Sequence, residues 1–302
     1  MPNTSAKYPG MPVRSLLFLG LLLLNGTGMA QSALDGDSAR HVHRGRLIGT
    51  CGGGGAAIAG SLIALNSAWY SQYPRSGFHF FDDSDEWLQL DKVGHGFSTY
   101  TVGRWGHGLL RWNGLPERTS VWVGGGLGTA YLTVVEVFDG YSAEWGFSGW
   151  DMVANVAGSG LFIGQQLGWK EQRIKVKYSA HLTDYATLRP DLLGEGTSER
   201  ILKDYNGATY WISAAPNAFG WKRLPPWVGL AVGYGGEGMV TADRAPGQLR
   251  QYYLALDIDL ERIPTKSRFL RTVFFALNCV KIPLPALELR GDGSFHGHAL
   301  YF

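Results

Sequence analysis

The chain has 302 residues, with 27 Lys and Arg against 25 Asp and Glu and a formal net charge of +2. So even a balance excludes the electrostatic footprint of a nucleic-acid binder, and no nucleic-acid partner is expected. Charged residues make up only 17% of the chain, which also holds 43 Gly and 11 Trp. Soluble domains carry roughly 25% charged residues, so the composition leans towards a membrane environment, while a mean hydropathy of −0.06 argues against a chain made wholly of spanning helices.

The first elements form a targeting signal. Lys7 and Arg14 precede the apolar run Leu16 to Leu24, and small residues lead to Gln31. A basic region, a short apolar core and a small-residue cleavage site predict a signal peptide over residues 1–30, with Ala30 the last residue removed. The core is far shorter than the ~20 residues that span a bilayer. Cys51 lies too far downstream for a lipoprotein cysteine. It could pair with Cys279, the second of the two cysteines, but the spacing gives no local support, so the fold is expected to rest on packing.

Residues 31–170 read as a helical, membrane-associated region. Its four segments are the uncharged stretch between Arg46 and Arg75, Leu90 to Trp112, Arg118 to Gly140 with Thr119 or Ser120 as cap, and a fourth capped by Ser148. Glycine costs up to ~1 kcal/mol relative to alanine in a soluble helix, so its abundance here needs a reason. Gly124 with Gly128, and Gly160 with Gly164 and Gly168, recur at i, i+4. Small residues at that spacing let helix backbones approach closely.

Residues 171–302 change texture. Short alternating stretches such as "ATYWISA", "WVGLAVGYG" and "QYYLALDIDL" are separated by Gly and Pro and read as strands. "KSRFLRTVFFALNCVK" reads as an amphipathic helix. The expected fold is α+β: a glycine-packed four-helix N-terminal half, then an antiparallel β-rich C-terminal half with one amphipathic helix.

The chemistry sits in "LDKVGHGFSTY". Asp91 and His95 are four apart and share a helix face, and Lys92 lies beside them. The third segment offers Glu136 and Asp139 near its C-terminal end, and the fourth offers Asp151 and Asn155 near its N-terminal end. In an up-down bundle those ends lie on one side, so Asp91, Lys92, His95, Glu136, Asp139, Asp151 and Asn155 form a candidate polar site. Buried carboxylates are costly unless paired. The same residues could instead be a polar packing knot, since Asp91 and Asp151 suit helix starts. With one histidine in the set, no metal or cofactor is expected.

The stretches "FHFFDDSDEWLQLDKVGHGFSTYTVGR", "EVFDGYSAEWGFSGWDMVANVAGSGLFIGQQ" and "LKDYNGATYWIS" resemble the uncharacterised bacterial envelope family called domain of unknown function 2279, whose members are described as predicted periplasmic proteins or lipoproteins. More distantly, D-K-x-x-H, a mid-chain Glu and D-x-x-x-N-x-x-G are similar to VanZ-like membrane proteins. That likeness carries over Asp91, Lys92, His95, Glu136, Asp151, Asn155 and Gly158, and neither family implies a reaction.

G-x-S-x-G, H-E-x-x-H and P-loop signatures are absent from the sequence. The expected function is therefore an exported envelope protein that binds or holds a membrane lipid or lipid-linked glycan in a helical cleft. The alternatives are an acid–base enzyme acting on a lipid head group, or a structural membrane protein. The outer membrane is favoured over the inner membrane or periplasm, on the strands and the terminal Phe302.

Overall fold

The computed structural model describes residues 41–68 and 70–302. The signal peptide expected over 1–30 lies outside the described residues. Among the described residues, four long helices come first: α1 (Arg44–Ala68), α2 (Leu90–Trp112), α3 (Glu117–Gly140) and α4 (Gly149–Trp169). A two-residue parallel pairing, β1 (Phe80–Phe81) with β2 (Phe147–Ser148), ties the approach to α2 to the start of α4. Three short helices, α5 (Tyr185–Leu188), α6 (Pro190–Leu193) and α7 (Thr197–Lys203), come later in the chain.

The C-terminal half is one antiparallel sheet in sequence order. Its strands are β3 (Ile174–Ala180), β4 (Ala208–Ala214), β5 (Val228–Glu237), β6 (Leu249–Ile258), β7 (Leu284–Arg290) and β8 (Phe295–Tyr301). The amphipathic helix α8 (Arg268–Leu277) is capped by Ser267, whose hydroxyl accepts from the Leu270 N–H. The antiparallel β-rich C-terminal half and the α+β architecture are as the sequence indicated. The free edge of β3 is partly covered, because Tyr178 exchanges backbone hydrogen bonds with Cys279 and Lys281. Cys279 is buried and Cys51 exposed, and both are free thiols.

Glycine packing holds at Gly124 and Gly128, as the sequence suggested, but not at the glycine stripe of α4. A Cβ on Gly124 would stand 2.4 Å from the His107 nitrogen, and one on Gly128 would stand 2.7 Å from the Thr99 Cα. These two glycines therefore bring α3 to backbone distance from α2. Gly158 does the same for α4, since its Cβ would fall 2.1 Å from the Gly96 carbonyl oxygen of α2. In contrast, Gly160, Gly164 and Gly168 are exposed, and a Cβ on any of them meets nothing within 4 Å. Their i, i+4 stripe is real but faces outwards. The close crossing of α4 lies on the opposite side, at Gly158.

The tight unit is thus α2, α3 and α4. Helix α1 lies at its flank, touching α3 through Leu65 and a 3.1 Å contact between Ser61 Oγ and Tyr131 OH. Helix α3 begins at Glu117 behind Pro116, one turn earlier than a cap at Thr119 or Ser120 would allow. Two described helices, Arg44–Ser67 and Glu117–Gly140, are long and apolar enough to cross a membrane. The main core joins α2 to the sheet through Phe97, Tyr178 and Tyr210.

Candidate functional site

Three helix ends meet at the site. Helices α2 and α4 bring their N-termini, each with an acid in the first turn, Asp91 and Asp151. That placement suits the positive end of the helix dipole. Helix α3 brings its C-terminal part, where Glu136 opposes the dipole and requires other partners.

Ser148 is the hinge of this arrangement. Its hydroxyl caps α4 by accepting from the Asp151 N–H at 3.0 Å and donates to Asp83 Oδ1 at 2.6 Å. Its own N–H donates to Glu136 Oε2 at 3.1 Å. One capping residue therefore holds three acids in register.

Lys92 and His95 face these acids from α2. The Lys92 ammonium donates to Asp83 and lies 3.3 Å from Asp91 Oδ2 and 3.1 Å from Asp151 Oδ1. The last contact is close enough for an ion pair but misaligned for a hydrogen bond, and Asp151 Oδ1 has no hydrogen-bond partner. His95 Nδ1 lies 3.1 Å from Asn155 Oδ1, so Nδ1 carries a proton that it donates there. His95 Nε2 then points at Asp151 Oδ2, Asp91 Oδ1 and Glu136 Oε1 from 3.8, 3.9 and 3.9 Å. Those separations exceed hydrogen-bond reach.

Burial sharpens the electrostatics, because Asp83, Asp91, His95, Glu136, Asp151 and Asn155 are all at most 4% exposed. Burial opposes a charge on His95, but Asp151, Asp91 and Glu136 outweigh it and push its pKa up to about 9. Burial, with Asp91 and Asp83 beside it, pushes Asp151 up to about 7. Glu86 is raised to about 7 by burial and by the same two acids. For Lys92, burial works against the charge, and Asp91, Asp151 and Asp83 overcome it, raising its pKa.

Six of the seven predicted residues come together: Asp91, Lys92, His95, Glu136, Asp151 and Asn155. Asp139, one turn along α3, is held by a different contact, a 2.8 Å hydrogen bond from Tyr70 OH. Three participants were missed. Asp83 was legible only as one acid in the run "FDDSDEW", and Ser148 only as a cap. Tyr205, whose hydroxyl donates to Asp91 Oδ1 at 2.7 Å, comes from the C-terminal half, 114 residues away, with no local signal.

The entry into α2 is itself strained. Trp87, Leu88 and Gln89 have φ of 49°, 51° and 65°, a left-handed run that costs about 1–3 kcal/mol per non-glycine residue. The sheet side holds it: Tyr234 OH donates to the Leu88 carbonyl at 2.5 Å, and Arg250 donates to Gln89 Oε1 at 2.5 Å. The sheet thereby sets where Asp91 and His95 begin.

Two further polar groups lie outside this cluster. Further along α2, Arg104 pairs with Glu261 at 2.6 Å, and Lys175 pairs with Asp259 at 2.6 Å and Glu261 at 3.1 Å. A separate, half-open pocket of about 530 Å³ lies against the sheet, lined by residues that include Glu237, Gln251, Glu288, Arg290 and His298.

Comparison with known proteins agrees on the envelope. Residues 78–163, which run from the approach to α2 to the middle of α4 and contain every member of the cluster except Tyr205, match the family described as "Predicted periplasmic lipoprotein (DUF2279)". No curated protein and no solved structure matches the chain. The likeness to VanZ-like proteins is not shown by these comparisons.

Proposed function

We propose that this exported envelope protein rests its outer surface in membrane lipid, in the outer membrane, and keeps its polar groups inside. The observation that carries the reading is the inverted sheet. Ile212, Val232, Leu254 and Leu287 are register partners across β4, β5, β6 and β7, and each is 46–58% exposed. The opposite face buries Lys177, Asp257 and Glu288, at 0–2% exposure. In water this pattern forgoes about 1 kcal/mol for each half-exposed aliphatic side chain, from the ~1.5–3 kcal/mol that full burial supplies. Apolar residues outside and polar residues inside are the alternation of sheets that face lipid.

The lipid contact is placed on the outer surface and not in the helical cleft expected from sequence, because α3 and α4 each meet α2 at backbone distance. An acid–base enzyme acting on a lipid head group is the weaker reading, since His95 is 4% exposed and a substrate would need to reach it.

Fractionation tests the proposal. The wild-type protein is expected in the outer-membrane pellet and to stay there through an alkaline carbonate wash. Val232→Lys combined with Leu254→Lys puts two charges on the apolar row and is expected to shift the protein out of that fraction. Recovery of the wild type in the soluble periplasmic extract would overturn the proposal.

A further inference from the structure

We propose that His95, Asp91, Asp151 and Glu136 form a binding site for a divalent transition-metal ion of the zinc or manganese class. The inference stands apart from the lipid reading, since it concerns the buried centre and not the exterior.

The oxygens of these three carboxylates divide their roles. Asp91 Oδ2 and Asp151 Oδ1 face Lys92, and Glu136 Oε2 accepts from the Ser148 N–H. The other oxygen of each acid points at His95 Nε2 from 3.8–3.9 Å, that of Asp91 while also accepting from the Tyr205 hydroxyl. With Nδ1 donating to Asn155, Nε2 is the ring nitrogen that can exchange its proton for a metal ion. Three carboxylate oxygens facing one nitrogen require positive charge there, which either a proton on Nε2 or a metal ion bound by its lone pair supplies.

The distances suit such an ion. Ligand atoms of Asp91, His95 and Asp151 lie within 4.8 Å of one another. Ligands held ~2.1 Å from a shared tetrahedral ion stand ~3.4 Å apart, so His95 Nε2 and the three carboxylate oxygens 3.8–3.9 Å from it would draw together by about half an ångström to close on one. One imidazole with several carboxylates suits first-row divalent ions better than thiolate-seeking ones. Asn155 holds the far side of the ring, as the outer partners of metal-bound histidines do.

Charge points the same way. Asp83, Asp91, Glu136 and Asp151 are buried, Lys92 is the ammonium beside the three aspartates, and Asp151 Oδ1 is left without a hydrogen bond. A divalent ion supplies the missing positive charge without a change of fold. The competing explanation is a proton on Nε2, making an imidazolium cage.

The experiment uses the full chain purified in detergent, with metal content measured as isolated and after loading with Zn²⁺ or Mn²⁺ followed by dialysis. About one ion per chain is expected for the wild type and for Asp139→Asn, which lies outside the cluster. His95→Ala and the isosteric Asp151→Asn are expected to lose the ion, and Asn155→Ala to bind it roughly 10–100-fold more weakly. Electron-spin resonance of the Mn²⁺-loaded wild type reads a nitrogen ligand directly, even if His95→Ala fails to fold. Substoichiometric metal after loading with either ion would establish the imidazolium cage and overturn the site. Full occupancy in a folded Asp151→Asn, or a bound Mn²⁺ without a nitrogen ligand, would overturn it equally.

Discussion

The crossing of α2 and α4 offers a test that separates a glycine in contact from a glycine merely in pattern. Gly158→Ala adds one methyl group that would lie 2.1 Å from the Gly96 carbonyl oxygen and 2.2 Å from Thr99 Oγ1. The first obstacle is backbone, so α4 itself must move away from α2. Overpacking costs about 1–3 kcal/mol where side chains can yield, and a backbone clash belongs at or above ~3 kcal/mol. Gly164→Ala adds the same methyl to the same helix, where it meets nothing. There the higher helix propensity of alanine is expected to stabilise by up to ~1 kcal/mol. Chemical unfolding of both variants in detergent, followed by circular dichroism, measures the difference. Gly158 also lies one turn from Asn155, so only its variant is expected to disturb the His95 cluster. Equal stabilities, or a less stable Gly164→Ala, would refute the packing assigned to α4.

Two further expectations concern the ties between the halves. Tyr205→Phe removes the hydrogen bond to Asp91 Oδ1 and is expected to cost about 1.5–3 kcal/mol, as for bonds to charged groups, read by the same unfolding assay; an unchanged midpoint would show that the two halves are not joined there. In the Arg104–Glu261–Lys175–Asp259 network, burial opposes the carboxylate charges, but Lys175 draws the Asp259 pKa down and Arg104 with Lys175 draws down that of Glu261. A carboxyl group with a lower pKa in the folded state stabilises above its ordinary value of about 4 and loses that contribution as pH falls through the folded value. Stability is therefore expected to fall on acidification below about pH 4, and Glu261→Gln to flatten that fall while costing about 3 kcal/mol at neutral pH. An acid limb of the same slope in that variant would place the titrating groups elsewhere.

Much of this molecule could be read along the chain. Helix α2 spans the Leu90 to Trp112 stretch as expected, the Ser148 cap stands where the pattern put it, and six strands follow from alternation. These are local properties: a period, a cap and a turn residue act within a few positions. The convergence of Asp91, His95, Glu136 and Asp151 was legible for the same reason, because helix direction and up-down order alone place those ends together.

Tertiary structure decided the rest. Periodicity gives a stripe of glycines but not the side of the helix that meets a neighbour, so Gly158 carries the contact and Gly164 does not. The same limit applies to the strands, where alternation marks two faces without saying which one is covered. Only the folded sheet shows the charged face inside and the aliphatic face outside. Tyr205 reaches Asp91, and Tyr234 and Arg250 hold the left-handed entry to α2, across separations of 114 to 161 residues. No local propensity encodes such contacts, because they exist only once the sheet has closed against the helices.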